Sequence, residues 1–244
     1  MQYLIKSIIT FFILFQCLST ARGQAAASDS LTNSKIKDRL IANYHAALKE
    51  QSPLYNGPAF DEYPRSIRGT AFLNAEAWAK GSVFYDGVLF NNVSLRYDVY
   101  KDLVVVLLYN QFSSYSLISE RVKYFDLSGH HFISILGDST GIKPGFYDEV
   151  YGGPTPVLIK LVKSKQERTG MDATYTEFED HTYYYIGVNS HYFEVSSEGD
   201  ALKVLKSHKK EIQQYVRANK IKFRKDKKGA LISMASYYDK LNNK

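Results

Sequence analysis

The sequence predicts an α+β protein: an N-terminal helix, a mainly antiparallel β body folded as a curved sheet, a sandwich or a partly closed barrel, and two C-terminal helices. Three observations predict it. Between residues 81 and 195, apolar runs of strand length recur, separated by turn pairs such as Asp86-Gly87 and Gly152-Gly153. No helix of useful length fits between those runs, so successive strands are expected to pair antiparallel. Near Ser197 the apolar spacing changes from two to three or four and stays helical towards the C-terminus.

Residues 1–23 read as an export signal. Lys6 supplies the positive charge, residues 8–18 form an apolar run of signal-peptide length, and Ala21-Arg22-Gly23 offers small residues at the cleavage positions, so cleavage is expected before Gln24. Cys17 is the only cysteine. A lipid anchor there would need a small residue just before it, where Leu14-Phe15-Gln16 stands. The mature chain then has no cysteine for a disulfide, a thiolate nucleophile or a metal site. No later stretch approaches the ~20 apolar residues that span a bilayer. The expectation is an exported chain, in the periplasm or cell envelope, with no transmembrane span once the signal is removed.

Residues 24–52 hold a small, polar lead and then a helix, with Ile36, Leu40, Ile41, Tyr44 and Leu48 on one face and Asn33 or Ser34 as its cap. Pro53 and Gly57-Pro58 end it. Residues 53–198 are the β-rich body, opening with an ordered connector over residues 53–80 that holds a short element near Trp78. Asp86-Gly87 marks a hairpin between strands at 82–85 and 88–91. Val93, Leu95, Tyr97 and Val99 alternate with polar neighbours, so one face is buried and one wet. Residues 103–109 are apolar without a break, as in a strand covered on both faces. Further strands are expected near 115–118, 121–127, 131–136, 146–151, 156–163, 173–179, 182–187 and 190–195. The many tyrosines and phenylalanines here suit strand propensity and cross-strand packing better than a binding surface.

Residues 199–244 form a basic helical segment. Leu202, Leu205, Ile212, Tyr215 and Val216 share one helical face, Ser197 with Asp200 caps its start, and a second helix runs from about 230 to 241. Residues 203–244 hold 13 basic and 3 acidic residues, whereas residues 24–202 hold 16 basic and 22 acidic. The chain is an acidic body with a basic tail. Lys203, Lys206, Lys209, Lys210, Arg217 and Lys220 are the candidate partner contacts. Export argues against nucleic acid. It leaves an envelope protein, anionic lipid or an acidic glycan as partner, or docking on the acidic body itself.

Catalytic patterns are weak. Gly137-Asp138-Ser139-Thr140-Gly141 fits G-x-S-x-G after a strand, but a nucleophile elbow needs a helix next, and Pro144-Gly145 stops one. The run also resembles the Gly-Asp-Ser block of a lipase and esterase superfamily. That block needs an Asp-x-x-His, and no histidine here has Asp three residues before it. His130-His131 are neighbours on a strand and point to opposite faces. The pairs Asp61-Glu62, Asp148-Glu149 and Glu179-Asp180 serve a glycosidase only where two carboxylates converge. No phosphate-binding glycine loop or dinucleotide fingerprint is present, and no cofactor is expected.

Several pieces carry a resemblance: Leu54-Tyr55-Asn56-Gly57, Trp78 followed by Gly81-Ser82-Val83, Tyr85-Asp86-Gly87, Asn92-Val93 with Leu95 and Tyr97-Asp98, Gly145-Phe146-Tyr147, and the tail VLKSHKKEIQQYVRANKIKFRKDKKGALISMASYYDKL. Together they resemble a family of exported β-rich proteins common in Bacteroidota, over most of the chain from about residue 54. The resemblance implies export, a β-rich body and a helical tail, and assigns no activity or site. The functional expectation is a non-enzymatic envelope module that binds a partner protein or envelope polymer. The alternatives are a lipid or small-molecule carrier with a β cup, and a hydrolase using carboxylates or Ser139.

Overall fold

The computed structural model describes residues 52–74, 77–137, 140–171 and 173–243, with isolated positions 36, 40 and 44. The expected signal peptide lies outside them, as does the N-terminal helix apart from those three positions. The described residues from 52 onward belong to one compact unit, residues 42–244.

Ten strands form one antiparallel sheet: β1 (Ala79–Tyr85), β2 (Val88–Asp98), β3 (Leu103–Leu107), β4 (Ser114–Ser116), β5 (Val122–Leu127), β6 (His130–Ile135), β7 (Gly145–Tyr151), β8 (Val157–Thr169), β9 (Thr174–Val188) and β10 (His191–Glu194). The order is β10-β9-β8-β7-β6-β5-β1-β2-β3-β4, and the sheet is not closed. The chain walks outward from β1 to β4, returns through a short turn at Ser119–Arg121, and lays β5 on the free side of β1. Three hairpins use two-residue loops with both central residues at positive φ: Asp86-Gly87, Ser128-Gly129 and Asn189-Ser190. Such turns match the right-handed twist of the strands they join.

Two expected strand breaks are absent. Residues 88–91 and 93–98 are parts of one strand, β2, which runs through Asn92 at φ +57° where the pairing with β1 slips by a bulge. Residues 173–179 and 182–187 are both β9, because Asp180 and His181 hold their register against Lys163 and Val162. β8 continues to Thr169, past its apolar run. Backbone pairing and polar side-chain pairs such as Lys163–Asp180 and Arg168–Glu177 carry this distal half, so hydrophobic periodicity does not reveal it.

The sheet is strongly curved. β2 and β8 are five strand spacings apart, which is about 24 Å in a flat sheet. Yet Asp102, in the β2–β3 turn, accepts a hydrogen bond from Lys160 of β8 at 2.6 Å and from the Phe146 backbone N–H of β7 at 3.3 Å. Tyr97 donates its hydroxyl to the same carboxylate. The concave side is packed with the rings of Tyr97, Phe125, Phe132 and Phe146, whose centres lie 4.7–6.1 Å apart. These aromatics are interior, as strand propensity predicts.

The connector ties two distant strands together. Phe60 N–H donates to Ser114 of β4, and Ser116 N–H donates to Pro58, both at 2.9 Å. Further along, Arg68 N–H donates to Thr176 and Phe178 N–H to Arg68, both on β9. Gly57 permits the first approach: a Cβ there would stand 1.9 Å from the Ser116 carbonyl oxygen. The connector also carries Tyr63, which with Tyr100 and Phe178 surrounds the Lys165 ammonium at 4.9–5.8 Å from the ring centres. Arg96 is buried between Phe72 and Trp78 and pairs with Glu62.

Three helices follow: α1 (Glu198–Val204), α2 (Lys209–Ala218) and α3 (Lys227–Asn242), with a 3-10 turn at Lys206–His208 between the first two. Two C-terminal helices were expected, and the first is broken in two. The break is held by α3: Ser207 hydrogen-bonds Tyr238 at 2.8 Å and His208 bonds Asn242 at 3.1 Å. The expected cap is present as a reciprocal box between Ser197 and Asp200.

Candidate functional site

The helical layer is attached by apolar packing. Leu202, Leu205, Ile212, Val216, Leu231, Met234 and Ala235 form a buried cluster with Val157 and Ile186 of the sheet. Burying one such side chain contributes roughly 1.5–3 kcal/mol. One acidic residue of the segment is turned inward: buried Asp239 accepts from the Tyr151 hydroxyl at 2.8 Å and the Thr155 N–H at 3.2 Å. Asp226 is used as the cap of α3 on Gly229 N–H. Of the three acids in residues 203–244, only Glu211 therefore stands exposed and uncommitted on the outside.

The basic side chains do the opposite. Lys203, Lys206, Lys209, Lys210, Arg217 and Lys220 are all exposed. Among the described residues only Lys203 of the six has an ion pair, to Asp200 at 3.1 Å. The acidic body does not neutralise the rest. The structure brings these cations onto one layer, but across two helices and a 3-10 turn instead of one continuous helix.

A cleft opens beside that layer. Residues 196–199, at the start of α1, face residues 221–224 and Lys227 across a volume of about 780 Å³. A Schellman turn at the end of α2 sends the chain there: Ile221 N–H bonds the Val216 carbonyl and Lys220 N–H the Arg217 carbonyl, with Lys220 in the left-handed region at φ +54°. Ile221 and buried Phe223 supply apolar lining, and Lys222 and Arg224 are exposed cations. The Lys227 ammonium lies 4.9 Å from the Tyr184 ring centre. Glu198 is the one carboxylate in the lining. Sequence reasoning passed over Lys222, Arg224 and Lys227. The available signal was the alternation of apolar and basic residues in Ile221-Lys222-Phe223-Arg224, which the structure turns into alternate burial and exposure.

The remaining candidates are dispersed. Asp138 and Ser139 lie outside the described residues. His130 bonds Asp148 at 2.7 Å while His131 bonds Asp126 at 2.6 Å, so adjacent imidazoles do serve opposite faces. Burial tends to raise the Asp126 carboxyl, but hydrogen bonds from Ser82 and His131 outweigh it and hold the group below its ordinary range. Among the paired acids, Glu62 meets Arg96, Asp180 meets Lys163 at 2.6 Å, and Glu179 meets Arg168 at 3.5 Å. No three His, Cys, Asp or Glu side chains are grouped as metal ligands among the described residues. No helix among them is long and apolar enough to cross a membrane. Compared with known families, characterised proteins and solved structures, the chain matches none.

Proposed function

We propose that this chain is an exported, non-enzymatic cell-envelope module whose C-terminal helical layer binds a polyanionic partner. One observation carries the reading: the layer docks through apolar side chains and leaves its cations exposed and, Lys203 apart, without counter-ions among the described residues. Unpaired like charges repel one another, so a face that concentrates them is at a cost which a polyanion relieves. The signal-like residues 1–23 support export. The ring-packed concave side weighs against a β-cup carrier. The paired acids weigh against a carboxylate hydrolase.

The test uses the mature chain, vesicles with and without phosphatidylglycerol, and heparin as an acidic glycan. Binding to one anionic probe is expected, weakening as salt rises. Each cation near an anionic surface contributes about 1 kcal/mol, so Lys206→Glu, Lys209→Glu and Lys210→Glu together should weaken it by at least about tenfold. Binding indifferent to salt and to the triple reversal, or no binding to either probe, would remove the reading.

A further inference from the structure

Beyond the polyanion-binding layer, we infer that the cleft between the start of α1 and residues 221–227 takes an amphiphilic anion: one acidic head, phosphate or carboxylate, on a short apolar body. Three features converge. The volume of about 780 Å³ is that of a small-molecule site and far exceeds the room a bare oxyanion fills. Ile221 and Phe223 give it apolar lining, which a bare anion would leave unused. Lys222, Arg224 and Lys227 border the same space, and a neutral apolar ligand would leave those charges unused. Arg224 presents the planar fork that grips a phosphate or carboxylate through two parallel hydrogen bonds. Lys227 borders the cleft with its ammonium 4.9 Å from the Tyr184 ring centre, a contact that fixes the charge at the wall. Glu198 repels a second acidic group, so the site favours a single head over a run of charges.

The cleft differs from the exposed layer in what it recognises. Lys206, Lys209 and Lys210 do not line it. The layer answers to charge density, while the cleft answers to charge joined to an apolar body. Ligand occupancy would also bridge the start of α1 and the loop before α3, and so stabilise the packing of the two.

Calorimetric titration of the mature chain decides the matter, with octyl phosphate and octanoate below their micelle concentrations and inorganic phosphate as the headgroup control. One of the two amphiphiles should bind at least about tenfold more tightly than inorganic phosphate, and the tighter one names the acid group. Lys222→Gln with Arg224→Gln should cost about tenfold or more, whereas the Lys206, Lys209 and Lys210 triple reversal should change affinity by less than about twofold. Circular dichroism of the glutamine variants confirms that they fold, and these exposed positions make that the expected result. Amphiphiles no better than inorganic phosphate, or equal losses in both variants, would overturn the cleft and leave only a charged layer. Tight amphiphile binding with no affinity for anionic vesicles or heparin would overturn the layer and keep the cleft.

Discussion

Asp102 offers the sharpest test of how the curved sheet is held. Its carboxylate takes the Lys160 ammonium, the Tyr97 hydroxyl and the Phe146 N–H, and the Lys160 and Asp102 side chains are only 14% and 28% exposed. Lys160 has one further acceptor, the Phe146 carbonyl at 2.9 Å, and the Tyr147 ring at 5.0 Å. Asp102→Asn keeps the shape but leaves a mostly buried ammonium with neutral partners. Breaking such a pair costs about 3–5 kcal/mol, and the residual exposure of Asp102 argues for the lower end, about 3 kcal/mol. In a chain of this size that is a fall in Tm of roughly 6–12 °C. Lys160→Met should cost less, about 1–2 kcal/mol, because Asp102 keeps two donors. The double variant should recover at least about 1 kcal/mol of the summed cost. Guanidinium unfolding followed through Trp78 fluorescence gives all three numbers. Burial already depresses the Lys160 pKa below 10.5 against the pull of Asp102, and Asp102→Asn depresses it further. The unfolded chain then binds more protons than the folded one between the lowered value and 10.5, so the deficit of the variant should shrink as pH rises through that window. Equal single costs that simply add in the double variant, with a deficit indifferent to pH, would refute the reasoning.

Two further predictions follow from the same chemistry. Burial, with Asp98 beside Tyr63 and Asp102 beside Tyr97, holds those phenols above 10.0, and burial next to Tyr185 does so for Tyr147. Their folded pKa values are raised, so the stability they contribute is intact below pH 10.0 and is lost as pH climbs above it; denaturant midpoints should fall there, with tyrosinate absorbance of these groups appearing only on unfolding. Lys220 occupies the left-handed C′ position that favours glycine, so Lys220→Gly should stabilise the chain by about 0.5–1 kcal/mol in thermal unfolding, and a loss instead would mean that its side chain does more than end a helix.

Much of the fold is legible in the sequence, for identifiable reasons. Asp86-Gly87 demands positive φ at two successive residues, and the structure provides it. Ser197 and Asp200 are spaced for a capping box, and they form one. What escaped is what local pattern does not encode. The polar outer half of the β8–β9 hairpin has no apolar alternation to reveal it. Leu205 and Ile212 keep helical spacing across the 3-10 turn, so the break depends on Ser207 and His208 meeting α3, a tertiary contact. The degree of curvature rests on Asp102 reaching Lys160, residues 58 apart in the chain. At the candidate site, the charge of the tail is plain in the sequence, but its separation into an inward Asp239, a capping Asp226 and outward cations depends on tertiary contacts.

The apolar seal made by α1 to α3 has a bearing on the order in which the chain is assembled. Synthesis and any threading through a translocon deliver the N-terminus first, so Val157 and Ile186 emerge well before Ile212, Leu231 and Met234 are available to cover them. During that interval the nascent product carries a bare, greasy patch and is a natural client for a holdase. Premature termination before residue 198 would make that patch permanent, yielding clumped polypeptide instead of a smaller working module.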